Sequence, residues 1–122
     1  MGSGTASQHH PVDRVRDEVA ARFLRQVWDE IERCFHPQHV ILFGSRATGR
    51  ARADSDIDLI LVSPYFENVR FIKRMGIVRQ QLDTLGYGIS VDVLCYTPEE
   101  FEVMGTGIGM VAEAAKEGIW LR

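Results

Sequence analysis

The sequence predicts a single α/β (α+β) domain in which one layer of mixed β-sheet is flanked by helices. Three short apolar runs, Val40 to Phe43, Ile57 to Val62 and Ile89 to Tyr96, have the length and composition of strands. Stretches of helical periodicity separate them, which places helices and strands in one layered unit. A chain of 122 residues with 45% hydrophobic content is one domain able to bury a modest core. No internal repeat or linker divides it.

The elements follow in order. Val15, Val19, Phe23, Val27 and Ile31 recur every four residues, and Ala20, Leu24, Trp28 and Phe35 widen the stripe. That spacing predicts a long helix from Val12 to about Phe35, stopped by Pro37. Trp28 stands as a surface on which a second protein could pack. After the strand at 40–43, Ser45 to Thr48 opens a short helix. Ile57 to Val62 is apolar on both faces apart from its aspartate, so it belongs inside the sheet. Asn68 can cap a helix from Val69 to Leu85, with Val69, Ile72, Met75, Val78 and Leu82 on one side and Gly86 and Gly88 ending it. Thr97-Pro98-Glu99-Glu100 has the form of a capping box with proline at the first helical position. A glycine-rich joint at 104–109 then leads to a last helix near Met110 to Lys116, ended by Gly118. Ile119 to Leu121 adds a small strand or packs on the core. Residues 1–11 read as a disordered N-terminus or tag remnant, leaving 12–122 as the domain.

Composition removes several function classes. The net charge of −3 argues against broad nucleic-acid binding, which leans on a basic surface. Two cysteines, Cys34 and Cys95, lie far apart without metal or redox spacing, as expected of a reduced cytoplasmic protein. No run reaches the length of a membrane span, and no secretory signal is visible.

The chemistry is concentrated in HVILFGSRATGRARADSDIDLILVS, from His39 to Ser63. A strand ends at Gly44-Ser45, where backbone amides and a helix start favour phosphate. Beyond a basic loop, Asp56 and Asp58 stand at i and i+2, so their carboxylates project from one face of the next strand. Two anions held that close on an apolar strand call for a cation between them. A hard divalent ion suits, because it prefers oxygen ligands and bridges carboxylates to substrate phosphates. Asp54 reads instead as a solvated strand end. Asp92, flanked by Val91 and Val93, is a third acidic residue whose burial without a partner would be costly.

This arrangement resembles the nucleotidyltransferases of the DNA polymerase beta-like superfamily, whose signature is Gly-Ser, a spacer, Asp-x-Asp and a third acidic residue on a later strand. It looks most like the minimal nucleotidyltransferases, which pair as antitoxins with HEPN-type toxins. The resemblance spans residues 12 to 122. It implies a polymerase beta-like fold and a metal-dependent transfer of a nucleoside monophosphate, AMP from ATP, to a hydroxyl of a partner protein. Asp56, Asp58 and Asp92 would be catalytic and would bind Mg2+, with Mn2+ able to substitute. Gly44, Ser45 and Arg46 would contact the nucleotide. Paired metals would then stabilise the attacking and leaving oxygens of an in-line displacement. The acceptor would be a HEPN-type RNase toxin, since the chain offers no domain of its own to hold one. The competing interpretation is a module that neutralises its partner by contact alone.

Other motifs carry less. Gly44 to Gly49 imitates P-loop spacing, but Arg50 and Ala51 follow where Lys and Ser/Thr are required. For Arg50 and Arg52, a solvated loop or a contact to a partner stands equal with phosphate contact. Arg70, Lys73, Arg74 and Arg79 read as a wet helix face. His36 and His39 lack further ligands for a metal, and His9 and His10 fall in the disordered end.

Overall fold

A computed structural model of the protein describes residues 10–83 and 88–122. A short 3-10 turn, Pro11–Arg14, precedes helix α1 (Glu18–Phe35). Strand β1 (His39–Phe43), the one-turn helix α2 (Ser45–Thr48) and strand β2 (Ile57–Val62) follow. Beyond a second 3-10 turn, Pro64–Phe66, come α3 (Phe71–Asp83), β3 (Val91–Tyr96), α4 (Pro98–Gly105), α5 (Met110–Glu117) and the short β4 (Ile119–Trp120). The sheet runs β3-β2-β1-β4. β1 pairs antiparallel with β2 and β4, whereas β2 and β3 are parallel. The sheet is therefore mixed, with β2 inside it, as the doubly apolar run Ile57 to Val62 requires.

Strand alternation sorts the core into two layers. Val40, Leu42, Leu59, Leu61, Val93 and Cys95 face α1 and α3, packing on Leu24, Val27, Ile31, Val78 and Leu82. Ile41, Ile60, Val62 and Tyr96 face the other way, onto Phe101 of α4 and Val111 and Ala114 of α5. Gly118 closes this second layer, because a Cβ there would lie 2.5 Å from the Ala114 carbonyl and 2.6 Å from Ile41 Cγ2.

The expected first helix is broken. Val15 is extended, and Asp17 caps α1 by accepting from the Ala20 N–H at 2.8 Å. The apolar periodicity of Val15 and Val19 continues across the break, which hid it. His10 was expected in the disordered end, yet it caps the first 3-10 turn and sits edge-on to Trp28. Trp28 is 3% exposed and belongs to this chain's own core, so it is no free surface for a partner. Residues 1–9, like Leu85 and Gly86 at the expected end of the third helix, lie outside the described residues.

Helix α3 starts at Phe71 rather than Val69, because Asn68 is left-handed at φ 66° and ends the preceding turn instead of capping a helix. Ile72 consequently falls on the outer face at 80% exposure. Arg74 takes the opposite course and is buried. Its guanidinium donates to Glu100 Oε1 at 2.6 Å, to Glu100 Oε2 at 3.3 Å and to the Cys95 carbonyl at 3.2 Å. Glu100 also completes the expected Thr97 capping box, so one carboxylate ties α3 to the start of α4. No described helix is long and apolar enough to cross a membrane.

Arg74→Met would leave Glu100 and the Cys95 carbonyl without their cation. The expected cost is about 2 kcal/mol, reduced from the value for a fully buried pair because Glu100 is half exposed. The Arg74 hydrogen bond holds the Glu100 carboxyl below its ordinary 4.5. A depressed carboxylate stabilises the fold above its unfolded pKa and loses that contribution as pH falls through the folded value. Thermal melts should therefore show wild type and Glu100→Gln converging on acidification below the ordinary value.

Candidate active site

The register of the sheet assembles the site. In the parallel pair, Ile57 lies opposite Val91 and Asp58 opposite Asp92. Asp58 shares its strand face with Ile60 and Val62, which are covered by α4 and α5. Those helices do not extend over the start of β2, so the carboxylates emerge where that layer ends. Asp58 and Asp92 are partly buried, and Asp56 is exposed just before the strand. In the antiparallel pair Phe43 lies opposite Asp58, which brings the following residue, Gly44, against the same carboxylate.

That contact explains the glycine. Gly44 has φ 77° and ψ −160°, a conformation that L side chains rarely adopt. A Cβ at this position would overlap Asp58 Oδ2 and stand 3.2 Å from Asp58 Cγ. The turn thus presents bare backbone to the aspartate. Ser45 and Arg46 open α2, whose first internal bonds run from the Ala47 and Thr48 amides to the Gly44 carbonyl at 3.0 and 3.2 Å. The amides of Ser45 and Arg46 precede those bonds and are the open donors of a helix start.

Electrostatics mark the same place. Burial raises the Asp58 carboxyl above its usual range, and the charges of Asp92 and Asp56 push it further in the same direction. Among the described residues, no ion pair or side-chain hydrogen bond relieves Asp56, Asp58 or Asp92. Nor do three acidic, histidine or cysteine side chains close on one point as a ready-made metal cage among those residues. Mg2+ seldom uses such a cage, binding instead through one or two carboxylates together with substrate phosphates. An unrelieved set of hard oxygen donors beside a side-chain-free turn fits that mode of binding.

An open cleft of about 530 Å³ adjoins the turn, lined by Phe43, Gly44, Ser45, Thr48 and Arg50 on one side and by Met110, Glu113 and Glu117 of α5 on the other. Arg46 is absent from it. Its side chain turns inward, is 4% exposed and pairs with Asp17 at 3.1 Å. The expectation that Arg46 touches nucleotide is therefore corrected, because burial and a carboxylate partner occupy its charge. Of the expected residues, Gly44, Ser45, Asp58 and Asp92 are brought together, and Asp56 stands at the rim. The cleft residues of α5 were not expected, since nothing in a short amphipathic helix marks which structure its outer face will meet.

Comparison with known proteins bears on this geometry. Residues 24–119 match the family described as Nucleotidyltransferase domain. The chain belongs to that family. Its chemistry is nucleotidyl transfer, generally from a nucleoside triphosphate with divalent metal. The four-stranded mixed sheet with flanking helices agrees with the polymerase beta-like nucleotidyltransferase fold. A Sulfolobus solfataricus protein assigned as a nucleotidyltransferase is similar to this one with TM-score 0.59 and 19% identity, over 96% of this chain and 90% of that one. BolA1 from Arabidopsis thaliana is similar with TM-score 0.51 and 20% identity, over 64% of this nucleotidyltransferase chain and 94% of its own. Such identities speak to fold alone. A search of curated proteins returns no match.

Two outcomes follow for this nucleotidyltransferase domain. Asp58→Asn should stabilise the metal-free protein by about 0.5 kcal/mol, a value discounted for partial exposure. In a thermal melt that is a rise of roughly 2 °C. The sign follows from a raised carboxyl: the penalty is absent below the unfolded value near 3.8 and complete above the folded one. Wild type should thus lose this increment as pH rises through that window, and the variant should not. Gly44→Ala should cost about 1–3 kcal/mol in backbone strain and displace Asp58, measured by denaturant unfolding.

Proposed function

We propose that this chain transfers AMP from ATP to a hydroxyl of a partner protein, silencing a HEPN-type RNase toxin as its antitoxin. The observation that carries the transfer step is the meeting of Gly44 with Asp58 and of Asp58 with Asp92. A phosphate-accepting turn and a carboxylate set share one strand end, which is what transfer of a metal-bound nucleotide needs.

In this scheme the triphosphate lies against the Ser45 amide, with the Ser45 hydroxyl as a further donor. Asp56, Asp58 and Asp92 would hold divalent metal, which neutralises triphosphate charge and stabilises the oxygens entering and leaving the reacting phosphorus. Gly44 keeps the backbone close enough for phosphate and carboxylates to share that charge. The acceptor oxygen attacks the α-phosphorus as the bond to the bridging β-oxygen breaks, releasing pyrophosphate. Asp92, on the edge strand β3 opposite Asp58, would take the acceptor's proton. The open cleft toward α5 leaves room for a hydroxyl carried by another molecule.

The antitoxin role and the choice of ATP rest on resemblance to the minimal nucleotidyltransferases. Exposed Val103, Met104, Ile108 and Met110 favour an extended contact with another protein beside the cleft. The same surface favours the second interpretation, inhibition by contact without chemistry. The test incubates the protein with α-labelled ATP, Mg2+ and the protein encoded by the neighbouring gene. Label should appear on that partner with wild type and disappear with Asp56→Asn/Asp58→Asn. Unlabelled partner in a stable, inhibited complex would overturn the transfer reading in favour of contact.

A further inference from the structure

The two arginines on either end of the phosphate turn occupy opposite environments. Arg46 Nε donates to the Ser55 carbonyl at 3.0 Å, and Nη1 donates to both carboxylate oxygens of Asp17 at 3.1 Å. Nη2 donates to the carbonyls of Arg52 and Ala53 at 3.2 and 3.3 Å. A guanidinium has five N–H donors, so every donor is spent. Three of the acceptors are backbone carbonyls of the loop leading directly into Asp56. The remaining partner, Asp17, is the cap of α1 and only 17% exposed in its side chain. Turning this guanidinium toward a ligand would orphan three carbonyls and a carboxylate at once, a cost no single phosphate contact offsets.

Arg50 has none of these ties. It is exposed, its backbone N–H closes the turn on the Ser45 carbonyl at 3.0 Å, and its side chain lines the cleft with Gly44, Ser45 and Thr48. Among the described residues its guanidinium forms no ion pair, although Glu113 and Glu117 line the far side of the same cleft. A free, planar cation beside open amides suits bidentate phosphate contact.

We infer that the arginines divide the work of the turn: Arg46, locked by Asp17, is a positioning residue for the Asp56 loop, and Arg50 is the side chain that meets nucleotide phosphate. The assignment rests on the nucleotide-binding reading above. It makes the N-terminus of α1, 29 residues upstream, part of what holds the carboxylates in place. Lysine cannot replace Arg46, because one ammonium cannot span acceptors distributed around a planar fork. At Arg50 a lysine keeps the charge and should keep part of the binding.

The test measures two affinities separately on the intact chain. Fluorescent trinitrophenyl-ATP is titrated with chelator present, and Mn2+ binding is followed by electron paramagnetic resonance with ATP present. Arg50→Ala should weaken nucleotide binding about tenfold even without metal, with partial recovery in Arg50→Lys. Arg46→Lys should leave metal-free nucleotide binding at the wild-type level and weaken Mn2+ about tenfold, as loss of an orienting partner does. Asp17→Asn keeps an oxygen to cap α1 and should reproduce the Mn2+ loss, so the outcome does not depend on Arg46→Lys folding. Wild-type nucleotide affinity in Arg50→Ala, or metal-free nucleotide loss in Asp17→Asn with an unchanged melting temperature, would overturn the assignment. Failure of the wild type itself to bind nucleotide with Mn2+ would instead overturn the nucleotidyl-transfer reading on which it stands.

Discussion

Asp58 and Asp92 face each other across a parallel pair of strands, and the site depends on that register. A parallel pair demands a crossover connection, which here is the 3-10 turn, α3 and the return to β3. A slip of one residue in β3 would turn Asp92 to the opposite face and place Val91 or Val93 beside Asp58. The apolar alternation of Val91, Val93 and Cys95 toward α1 and α3 prevents it. Burial on one face of the sheet thus holds a pair of repelling charges together on the other. The raised carboxyl of Asp58 reflects its burial first and the neighbouring charges of Asp92 and Asp56 after it.

The second constraint is the close approach of β1's end to the same carboxylate. Antiparallel pairing fixes Phe43 opposite Asp58, so whatever follows Phe43 must pass the aspartate. Only a residue without Cβ passes at this φ, and the chain has Gly44 there. From that point the backbone turns into α2 with its first amides open, while Arg46 drops inward to seal the loop that returns to Asp56. The turn, loop and carboxylates form one unit, closed underneath by Asp17 and open above toward α5. Fold stability and site chemistry pull against each other here, as expected where charge is gathered for a ligand.

Much of this was legible in the residues. The apolar run Ile57 to Val62 declared a strand inside a sheet, and the spacing of Gly44, Ser45, Asp56 and Asp58 pointed to the turn and the carboxylates that the sheet brings to one strand end. Thr97 to Glu100 announced its capping box. What escaped detection was tertiary. In sequence Arg46 reads as a nucleotide contact and Arg74 as a solvated arginine, and only the fold brings Asp17 and Glu100 to them. Periodicity ran through the break before α1 because Val15 packs on the core without being helical. Ile72 followed the helical stripe but fell outside it when the left-handed Asn68 delayed the helix. Trp28, with its large apolar ring, gave no sign of whether its cover would come from this chain or another; His10 supplies part of it. The cleft's α5 wall depends on how the chain's last third folds back over the sheet, and no local pattern encodes that.

The central claim is that the strand end joining Gly44, Asp58 and Asp92 is a seat for metal and triphosphate together. The direct measurement is a crystal structure with Mn2+ and a non-hydrolysable ATP analogue, with manganese located by its anomalous scattering. The account predicts manganese on Asp58 with at least one of Asp56 and Asp92, and triphosphate oxygens against the Ser45 amide. Manganese and analogue bound elsewhere, with those carboxylates left free, would contradict it.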